Sequence, residues 1–337
     1  MKKKLIALLL AALFVFALAA CSGGGNSGGG TTTNPTNAPA PAGEKLTMGT
    51  GGEQGTYYAF GGVLANYIGQ NTNLSINVVS TGGTAANITG IRDKLYDLAT
   101  VQSDVSYYAY TGTNSFAESG AITDFRVLGA LYAETVQIVT CDPNLTSVAD
   151  LKGKSVCVGD VGSGTYFNTL DVLAAYDMTL DDITPVYQSF GASTESIKDG
   201  KIDAAFICAG APTNAVVDLA TSKSVYLISI DDAHMSKLLA SCPWYASLTI
   251  PAGTYSGFDQ DAVTITVKAT LVAKASLSDD AAYQIVSTIF NNTQAIAALH
   301  GKGAELSLQF ATEGIAVPFH PGAAKYFAEK GITVSTG

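Results

Sequence analysis

The amino-acid sequence predicts an α/β protein made of two lobes of similar construction. The prediction rests on an internal repeat, on a second pair of matched segments that follows each copy at nearly the same distance, and on chain length. The part of the chain after residue 43 has nearly 300 residues, which is enough for two domains of ordinary size.

The repeat consists of a strand, a glycine-rich turn and a helix. Residues 55–67 (GTYYAFGGVLANY) match residues 164–176 (GTYFNTLDVLAAY) at seven of thirteen positions, and the copies follow strand-like runs at 46–50 and 155–159. Apolar side chains recur at helical spacing in both copies, so each copy predicts an amphipathic helix. These side chains are Tyr57, Phe60, Leu64 and Tyr67 in the first copy and Tyr166, Leu170, Leu173 and Tyr176 in the second.

The second pair of matched segments covers residues 91–101 and 197–207. Each segment predicts the end of a helix, a turn, and a buried strand that begins at an aspartate, Asp97 or Asp203. The distance from the first residue of the repeat to this aspartate is 42 residues in the first copy and 39 in the second. Two matched elements at nearly matched spacing therefore predict two α/β lobes built alike.

The two glycine-rich turns are candidate anion sites. A turn between a strand and a helix directs backbone N–H groups and the positive end of the helix dipole at one point, which attracts carboxylate or phosphate. Thr56 and Thr165 follow the turns, where their hydroxyls can cap the helices or donate to a ligand. The alternative is that both turns only connect a strand to a helix, as any α/β fold requires.

The N-terminal segment predicts export and attachment to a membrane. Three lysines precede an apolar run, residues 5–18, that is too short to span a bilayer but fits a signal peptide over residues 1–20. The run ends in Leu-Ala-Ala-Cys, which resembles a bacterial lipobox and predicts a lipid on Cys21. The alternative is an uncleaved apolar helix with an incidental cysteine. After Cys21, residues 22–43 contain only Gly, Ser, Thr, Asn, Pro and Ala, so residues 21–43 are predicted to form a flexible tether.

The charge of the exported chain argues against two classes of partner. Removal of the three N-terminal lysines leaves 15 basic and 28 acidic residues, a net charge of −13. This acidic body disfavours nucleic acid and anionic lipid as partners. It leaves an anionic small-molecule ligand open, because such a ligand responds to its pocket more than to the net charge.

The sequence gives little support to a metal site, a cofactor or catalysis. Beyond residue 43 it contains no CxxC, G-x-S-x-G, P-loop or H-E-x-x-H pattern, and the region around Gly51 lacks G-x-G-x-x-G. We therefore expect no metal, no cofactor and no enzymatic activity. Four cysteines follow Cys21; they allow three pairings, and their wide spacing favours mostly free, buried thiols. They are Cys141, Cys157, Cys208 and Cys242.

Six segments of the chain resemble motifs of one known family. They are residues 48–58 (MGTGGEQGTYY), 81–87 (TGGTAAN), 97–104 (DLATVQSD), 162–165 (GSGT), 250–255 (IPAGTY) and 318–323 (PFHPGA). Together they resemble the TAXI solute receptors of tripartite ATP-independent periplasmic (TRAP) transporters. The segments occur in the family's order, so the resemblance covers the folded body from residue 46 to about residue 330.

The resemblance implies a two-lobe periplasmic-binding-protein fold of the second type (type II), with the ligand cleft between the lobes. In that fold the chain crosses between the lobes twice, and we place these crossings near residues 133–138 and 263–271. Lobe one would then contain residues 44–135 plus 265–337, and lobe two residues 136–264.

The resemblance also implies a function in solute uptake. A receptor of this kind captures a small organic acid or amino acid, such as glutamate or a dicarboxylate, at the outer face of the cytoplasmic membrane and delivers it to the TRAP membrane permease. The alternative is a ligand-sensing lipoprotein coupled to a membrane receptor, because the same fold serves both purposes.

The candidate ligand-binding residues lie in the turns and at one strand end. Since Arg92 and Arg126 are the chain's arginines, a bidentate clamp on carboxylate is poorly supplied, and we expect backbone N–H groups, hydroxyls and helix ends to hold it. Asp104 either accepts from a ligand amine or caps the next helix. The full set is Gly55, Thr56, Tyr57, Tyr58, Gly82, Gly83, Thr84, Gln102, Asp104, Gly162, Ser163, Gly164, Thr165 and Tyr166.

Overall fold

The structure, a computed structural model, describes residues 43–337. The predicted signal peptide, Cys21 and the tether before residue 43 lie outside the described residues. Within 43–337, no helix combines the length and the apolar composition that crossing a membrane requires.

The strands of the described residues join into one mixed sheet. In chain order they are β1 (Lys45–Gly49), β2 (Ser75–Val79), β3 (Leu98–Gln102), β4 (Phe125–Thr140), β5 (Ser155–Cys157), β6 (Thr184–Val186), β7 (Ala204–Ala209), β8 (Tyr226–Leu227), β9 (Ala246–Ile250) and β10 (Ala262–Lys274). The main path of the sheet is β2-β1-β3-β10-β4-β7-β5-β6, with β8 beside β4 and β9 beside β10. The three strands at each end are parallel, whereas β4 and β10 are antiparallel to each other and to their outer neighbours.

Helices connect these strands and cover the sheet. In chain order they are α1 (Thr56–Asn71), α2 (Thr84–Arg92), α3 (Ser103–Thr111), α4 (Gly164–Ala175), α5 (Phe190–Lys198), α6 (Asn214–Ala220), α7 (Asp232–Ser241), α8 (Asp279–Asn291), α9 (Thr293–Leu299), α10 (Leu308–Thr312) and α11 (Pro321–Glu329). Side-chain chemistry explains where several of them begin. At α8, for example, Ser278 Oγ accepts from the backbone N–H of Ala281 at 3.1 Å, which is an N-cap.

The apolar side chains of the described residues divide into a core for each lobe. Lobe one contains the core cluster drawn from residues 46–132 and 269–327, and lobe two contains the clusters drawn from residues 136–267. β4 and β10 pass from one core to the other, and they include the segments 133–138 and 263–271 that the sequence predicts as crossings. The two-lobe, type II architecture is thus confirmed, and the lobe bounds at 135/136 and 264/265 stay predictions.

The predicted duplication is present in the fold. β1 and β5 each lead through a glycine-rich turn into a helix, and β3 and β7 begin directly after Asp97 and Asp203. The two aspartates also make the same contact, because Asp97 accepts from the backbone N–H of Thr47 and Asp203 from that of Ser155, both at 2.8 Å. β3 and β7 are buried along their whole length, which explains why neither strand contains a charged residue.

The cysteines and one histidine have structural surroundings. Cys141, Cys157, Cys208 and Cys242 are free thiols, and three of them are buried, as the sequence predicts. His320, in the segment 318–323, is buried and begins α11: its Nδ1 accepts from the backbone N–H of Gly322, and Nε2 lies 3.0 Å from the carbonyl of Leu277.

Candidate functional site

A cavity of about 50 Å³ lies between the two lobes, where the N-termini of four helices converge. Its wall includes the first residues of α1, α2, α4 and α5, together with the glycines that precede α1 and α2. The lining residues are Gly51, Gly52, Gly55, Thr56, Tyr57, Gly82, Gly83, Thr84, Gln102, Glu134, Asp160, Ser163, Thr165, Ser189, Phe190, Cys208 and Ala209. A second cavity of about 350 Å³ adjoins it, so the space beside the helix ends extends well beyond the first cavity. The lining residues that the two cavities share are Gly52, Gly55, Asp160, Ser189 and Phe190.

The structure brings most of the predicted site residues together. Gly55, Thr56, Tyr57, Gly82, Gly83, Thr84, Gln102, Ser163 and Thr165 line the cavity, and their role in binding stays a prediction. Tyr58, Asp104, Gly162, Gly164 and Tyr166 are not part of its wall. Tyr166 packs instead against Phe167 and Tyr187.

The turn of lobe one leaves its helix without a side-chain cap. Gly55 is the N-cap of α1, and it has no side chain to accept from the first-turn N–H groups. Thr56 does not cap the helix either, because its hydroxyl donates to the carbonyl of Gly210 in lobe two at 3.1 Å. The start of α1 therefore presents backbone donors and a positive dipole end to the cavity.

In lobe two, a side chain caps the helix that follows the glycine-rich turn. Ser163 Oγ accepts from the backbone N–H of Tyr166 at 3.2 Å and caps α4. Thr165 is again not the cap; its oxygen accepts from the backbone N–H of Cys208 at 3.4 Å. The structure thus corrects the suggestion that these threonines cap their helices: Gly55 and Ser163 hold the N-cap positions.

Two further helices point uncapped N-termini at the cavity. Gly83 precedes α2 with a backbone φ of 96°, which residues other than glycine rarely adopt. Ser189 precedes α5, and its side chain does not cap that helix. The hydroxyl of Thr84 accepts from the backbone N–H of Gln102 at 3.1 Å, which ties the start of α2 to the end of β3. Together with α1, these helix ends make the cavity a favourable place for an anionic group.

A buried hydrogen-bond network joins the lobes beside the cavity. Gln102 Nε2 donates to Asn168 Oδ1 at 2.9 Å and to Cys208 Sγ at 2.7 Å. Asn168 in turn donates to Asp104 Oδ2 at 3.1 Å and to the hydroxyl of Tyr245 at 2.9 Å. The structure therefore shows the lobes in direct contact, in a closed arrangement.

Asp104 belongs to this network and not to the cavity. It lies in the first turn of α3, whose N-cap is Gln102, so Asp104 does not cap that helix. Burial, with a smaller contribution from nearby Asp171, raises the pKa of the Asp104 carboxyl to about 7. The sequence suggested a ligand amine as its partner; the structure gives it Asn168 instead.

Glu134 is the most important lining residue that the sequence analysis missed. It lies in the middle of β4, is 2% exposed, and its Oε1 has no hydrogen-bond partner. Burial raises its pKa to about 8, although Tyr132 and Lys302 act in the opposite direction. One signal was available: a single carboxylate in the middle of a mostly apolar strand is unusual unless it is paired or has a function. The other lining residues missed were Gly51, Gly52, Asp160, Ser189, Phe190, Cys208 and Ala209.

The lining contains two carboxyl groups and no basic side chain. Asp160 is the second carboxyl, and burial raises its pKa as well. Arg92 pairs with Asp93 on the surface, and Arg126 donates to the carbonyls of Thr123 and Phe125, so neither arginine reaches the cavity wall. A carboxylate in the cavity would therefore depend on helix ends and backbone donors, as the sequence predicts.

Comparison with known proteins gives the family. Residues 48–331 match the model of the NMT1-like family. The chain belongs to the NMT1-like family. The match covers most of the described residues and includes segments of both lobes.

The solved structures that resemble this chain are distant from it in sequence. A protein from Bordetella bronchiseptica RB50 is 15% identical, with 84% of this chain and 88% of that chain covered and a TM-score of 0.53. The alkanesulfonate-binding protein SsuA from Xanthomonas axonopodis pv. citri, bound to MOPS, is 18% identical, with 87% and 92% covered and a TM-score of 0.48. The GluR0 ligand-binding core from Nostoc punctiforme, in complex with L-glutamate, is 14% identical, with 77% and 100% covered and a TM-score of 0.47.

Proposed function

We propose that this protein is an extracytoplasmic solute-binding lipoprotein that captures a small carboxylate or amino acid, glutamate-like or dicarboxylate, and delivers it to a TRAP-type permease. The observation that carries the proposal is the convergence of four helix N-termini on one cavity between two lobes. Such an arrangement holds an anionic group without a basic side chain. Membership of the NMT1-like family supports a binding protein, and the six TAXI-like segments support the TRAP partner.

The lobe geometry suggests how capture works. A ligand that touches α1 and α2 in lobe one and α4 and α5 in lobe two interacts with both walls only when the lobes are closed. Its binding energy therefore favours the closed arrangement over an open one. A permease can recognise that arrangement and so distinguish loaded from empty receptor.

A thermal-shift screen of the body from Glu44 onward tests the binding function. The screen contains amino acids, mono- and dicarboxylates and sulfonates. A ligand present at about 100 times its dissociation constant stabilises the folded state by about 2.7 kcal/mol, which is a clear rise in melting temperature. A flat response to every member of the screen would remove the proposal. Uptake by proteoliposomes that contain the permease, with and without the loaded protein, tests delivery.

The lipid anchor has a separate test. We expect Cys21→Ala to abolish lipid attachment, because Cys21 is the cysteine at the end of the predicted signal peptide. Metabolic labelling with a fatty-acid analogue compares the variant with the wild type. Equal labelling of the two proteins would exclude the lipobox interpretation.

A further inference from the structure

Glu134 lies where β4 passes from one lobe to the other. It follows Tyr132 of the first core, precedes Val136 of the second, and lines the cavity. Its Oε1 is buried and has no partner within hydrogen-bond distance, although the Tyr132 hydroxyl, which is also unpartnered, lies near enough to lower the pKa of the carboxyl. Buried polar atoms in folded proteins are almost always paired, so an unpaired one that lines a ligand cavity indicates that the ligand supplies the missing donor.

Two further unpartnered polar atoms belong to residues of the same wall. They are Oε1 of Gln102 and the hydroxyl of Tyr57. Gln102 uses its amide nitrogen to donate to Asn168 and Cys208, and this assigns its Oε1 as an acceptor. An ionised Glu134 and the amide oxygen of Gln102 can only accept. Gln102 Oε1 lies over Gly164, outside the cavity wall. The carboxylate of Glu134 is therefore the acceptor of this wall that suits a hydrogen-bond donor on a ligand.

We propose that the cavity selects ligands that carry an ammonium group beside a carboxylate, and that Glu134 accepts a hydrogen bond from the ammonium. The inference rests on the proposed function above. The carboxylate lies toward the uncapped ends of α1, α2 and α5, and the ammonium lies toward Glu134. A monocarboxylic acid without an amine leaves Glu134 unpaired, and a plain dicarboxylate brings a second negative charge toward it.

Among residues 43–337, the surroundings of Glu134 contain no free cation that could replace the ligand's ammonium. The titratable groups that face it are Tyr132 on its own strand, Tyr57 on α1, Cys208 on β7, and Lys302 and Glu305 on a short 3-10 helix (Gly301–Glu305). Lys302 is already held by Glu305, with Nζ 2.6 Å from Oε1. The positive charge of Lys302 is therefore already neutralised by Glu305 before a ligand binds.

Binding of an ammonium ligand moves one proton. Burial raises the pKa of Glu134 to about 8, so its carboxyl is protonated in the free protein at neutral pH. The ligand's ammonium stabilises the carboxylate, and the carboxyl O–H proton passes to the buffer while the ammonium keeps its own protons. A ligand without an amine leaves that proton in place.

Isothermal titration calorimetry of the full body tests this selection with matched pairs of compounds. L-alanine, L-leucine and L-glutamate are each compared with propionate, 4-methylpentanoate and glutarate, which lack the amine. We expect an amino acid to bind the wild type at least about tenfold more tightly than its amine-free counterpart. Glu134→Gln should reduce that ratio to less than about threefold, while Glu118→Gln, which removes an exposed carboxylate, should leave it unchanged.

The outcomes separate this inference from the proposed function. If an amine-free acid binds as tightly as its amino acid, or if a screen hit lacks an amine and no amino acid competes, the selection is refuted while solute binding stands. If Glu134→Gln keeps the tenfold ratio, the assignment to Glu134 is wrong. If no small acid or amino acid binds at all, both proposals fall.

A measurement on the wild type covers the case in which Glu134→Gln does not fold. Titrations of the tightest amino acid in Bis-Tris and in Tris buffer at about pH 7 give the number of protons released, and neither buffer is an anion that could compete for the helix ends. We expect about one proton per ligand, because the carboxyl starts protonated and ends ionised. A release of zero protons would contradict the pairing of Glu134 with the ammonium.

Discussion

The two repeats begin their helices differently although their sequences are close. In lobe one the position that aligns with Ser163 is Gln54, which gives no cap, so α1 begins at Thr56 with Gly55 before it. In lobe two Ser163 caps the helix, and α4 begins one aligned position earlier, at Gly164. The comparison shows that duplication supplied the geometry of a convergent site, and that single residues then decided which helix end stays open to a ligand.

The largest expected effect on ligand binding comes from substitution at Gly55 and Gly164, the matched glycines at the start of the two repeats. We expect Gly164→Ala to weaken binding of the best screen ligand by about a hundredfold. The added Cβ would lie 1.3 Å from Gln102 Oε1, so the Gln102 side chain must move and lose its hydrogen bonds to Asn168 and Cys208 across the cleft. Gly55→Ala is the matched control, since its Cβ would lie 3.2 Å from the nearest atom, the carbonyl oxygen of Gly52. Calorimetry compares the two variants, and equal losses would break the comparison.

The matched threonines should differ in the next largest effect. The Thr56 hydroxyl already donates to the carbonyl of Gly210. The Thr165 hydroxyl oxygen only accepts, from the backbone N–H of Cys208, so the Thr165 O–H can donate to a ligand carboxylate. Thr165→Val should therefore raise the dissociation constant by about tenfold to a hundredfold. Thr56→Val loses one neutral hydrogen bond between the lobes and should cost less than about tenfold. The reverse order in calorimetry would show that lobe one, not lobe two, supplies the hydroxyl.

The ends of β3 and β7 differ in how their stability depends on pH, because the segment after β3 includes a buried carboxyl, Asp104, that the aligned position after β7 lacks. Asp104 in lobe one aligns with Gly210 in lobe two. Because the folded-state pKa of Asp104 is raised to about 7, the unfolded chain loses this proton first, and the wild type loses stability as the pH rises from about 4 to about 7. Asp104→Asn should be more stable than the wild type by on the order of 2 kcal/mol at about pH 8, with little difference at about pH 4. Urea unfolding across this range measures it, and parallel curves would contradict it.

The caps themselves give the smallest effect. Ser163→Ala should lower the free energy of unfolding by about 1 kcal/mol, because Tyr166 N–H loses its acceptor. Gln54→Ala at the aligned position should change it by less than about 0.5 kcal/mol, since Gln54 does not cap α1. Chemical denaturation of both variants decides the point; a loss at Gln54 as large as at Ser163 would mean that both turns are capped in solution.

The repeat made much of the fold predictable. Local patterns identified β1 and β5, the turns, the helices α1 and α4, and the aspartates that precede β3 and β7. The cap at Ser278 likewise depends on residues close together in the sequence, which is information that a local pattern contains.

The parts of the site that escaped prediction depend on tertiary structure. Glu134 enters the cavity because β4 crosses between lobes with that side chain toward the cleft, and the repeat contains no information about this strand. Asp104 turns away because α3 begins at Ser103 and directs it to Asn168 of the other lobe. The lining residues Ser189 and Phe190 are the residue before α5 and its first residue, and α5 lies outside the repeated segments.

Gln102 and Cys208 occupy aligned positions at the ends of β3 and β7, and they touch each other across the cleft. Two identical halves meeting in this way would hold a guest equally well in either of two orientations. Here an amide faces a thiol, an open helix end faces a capped one, and the carboxylate of Glu134 lies on one side. Three unlike points of attachment suffice to distinguish an object from its mirror image, so we expect the receptor to be enantioselective toward a chiral ligand.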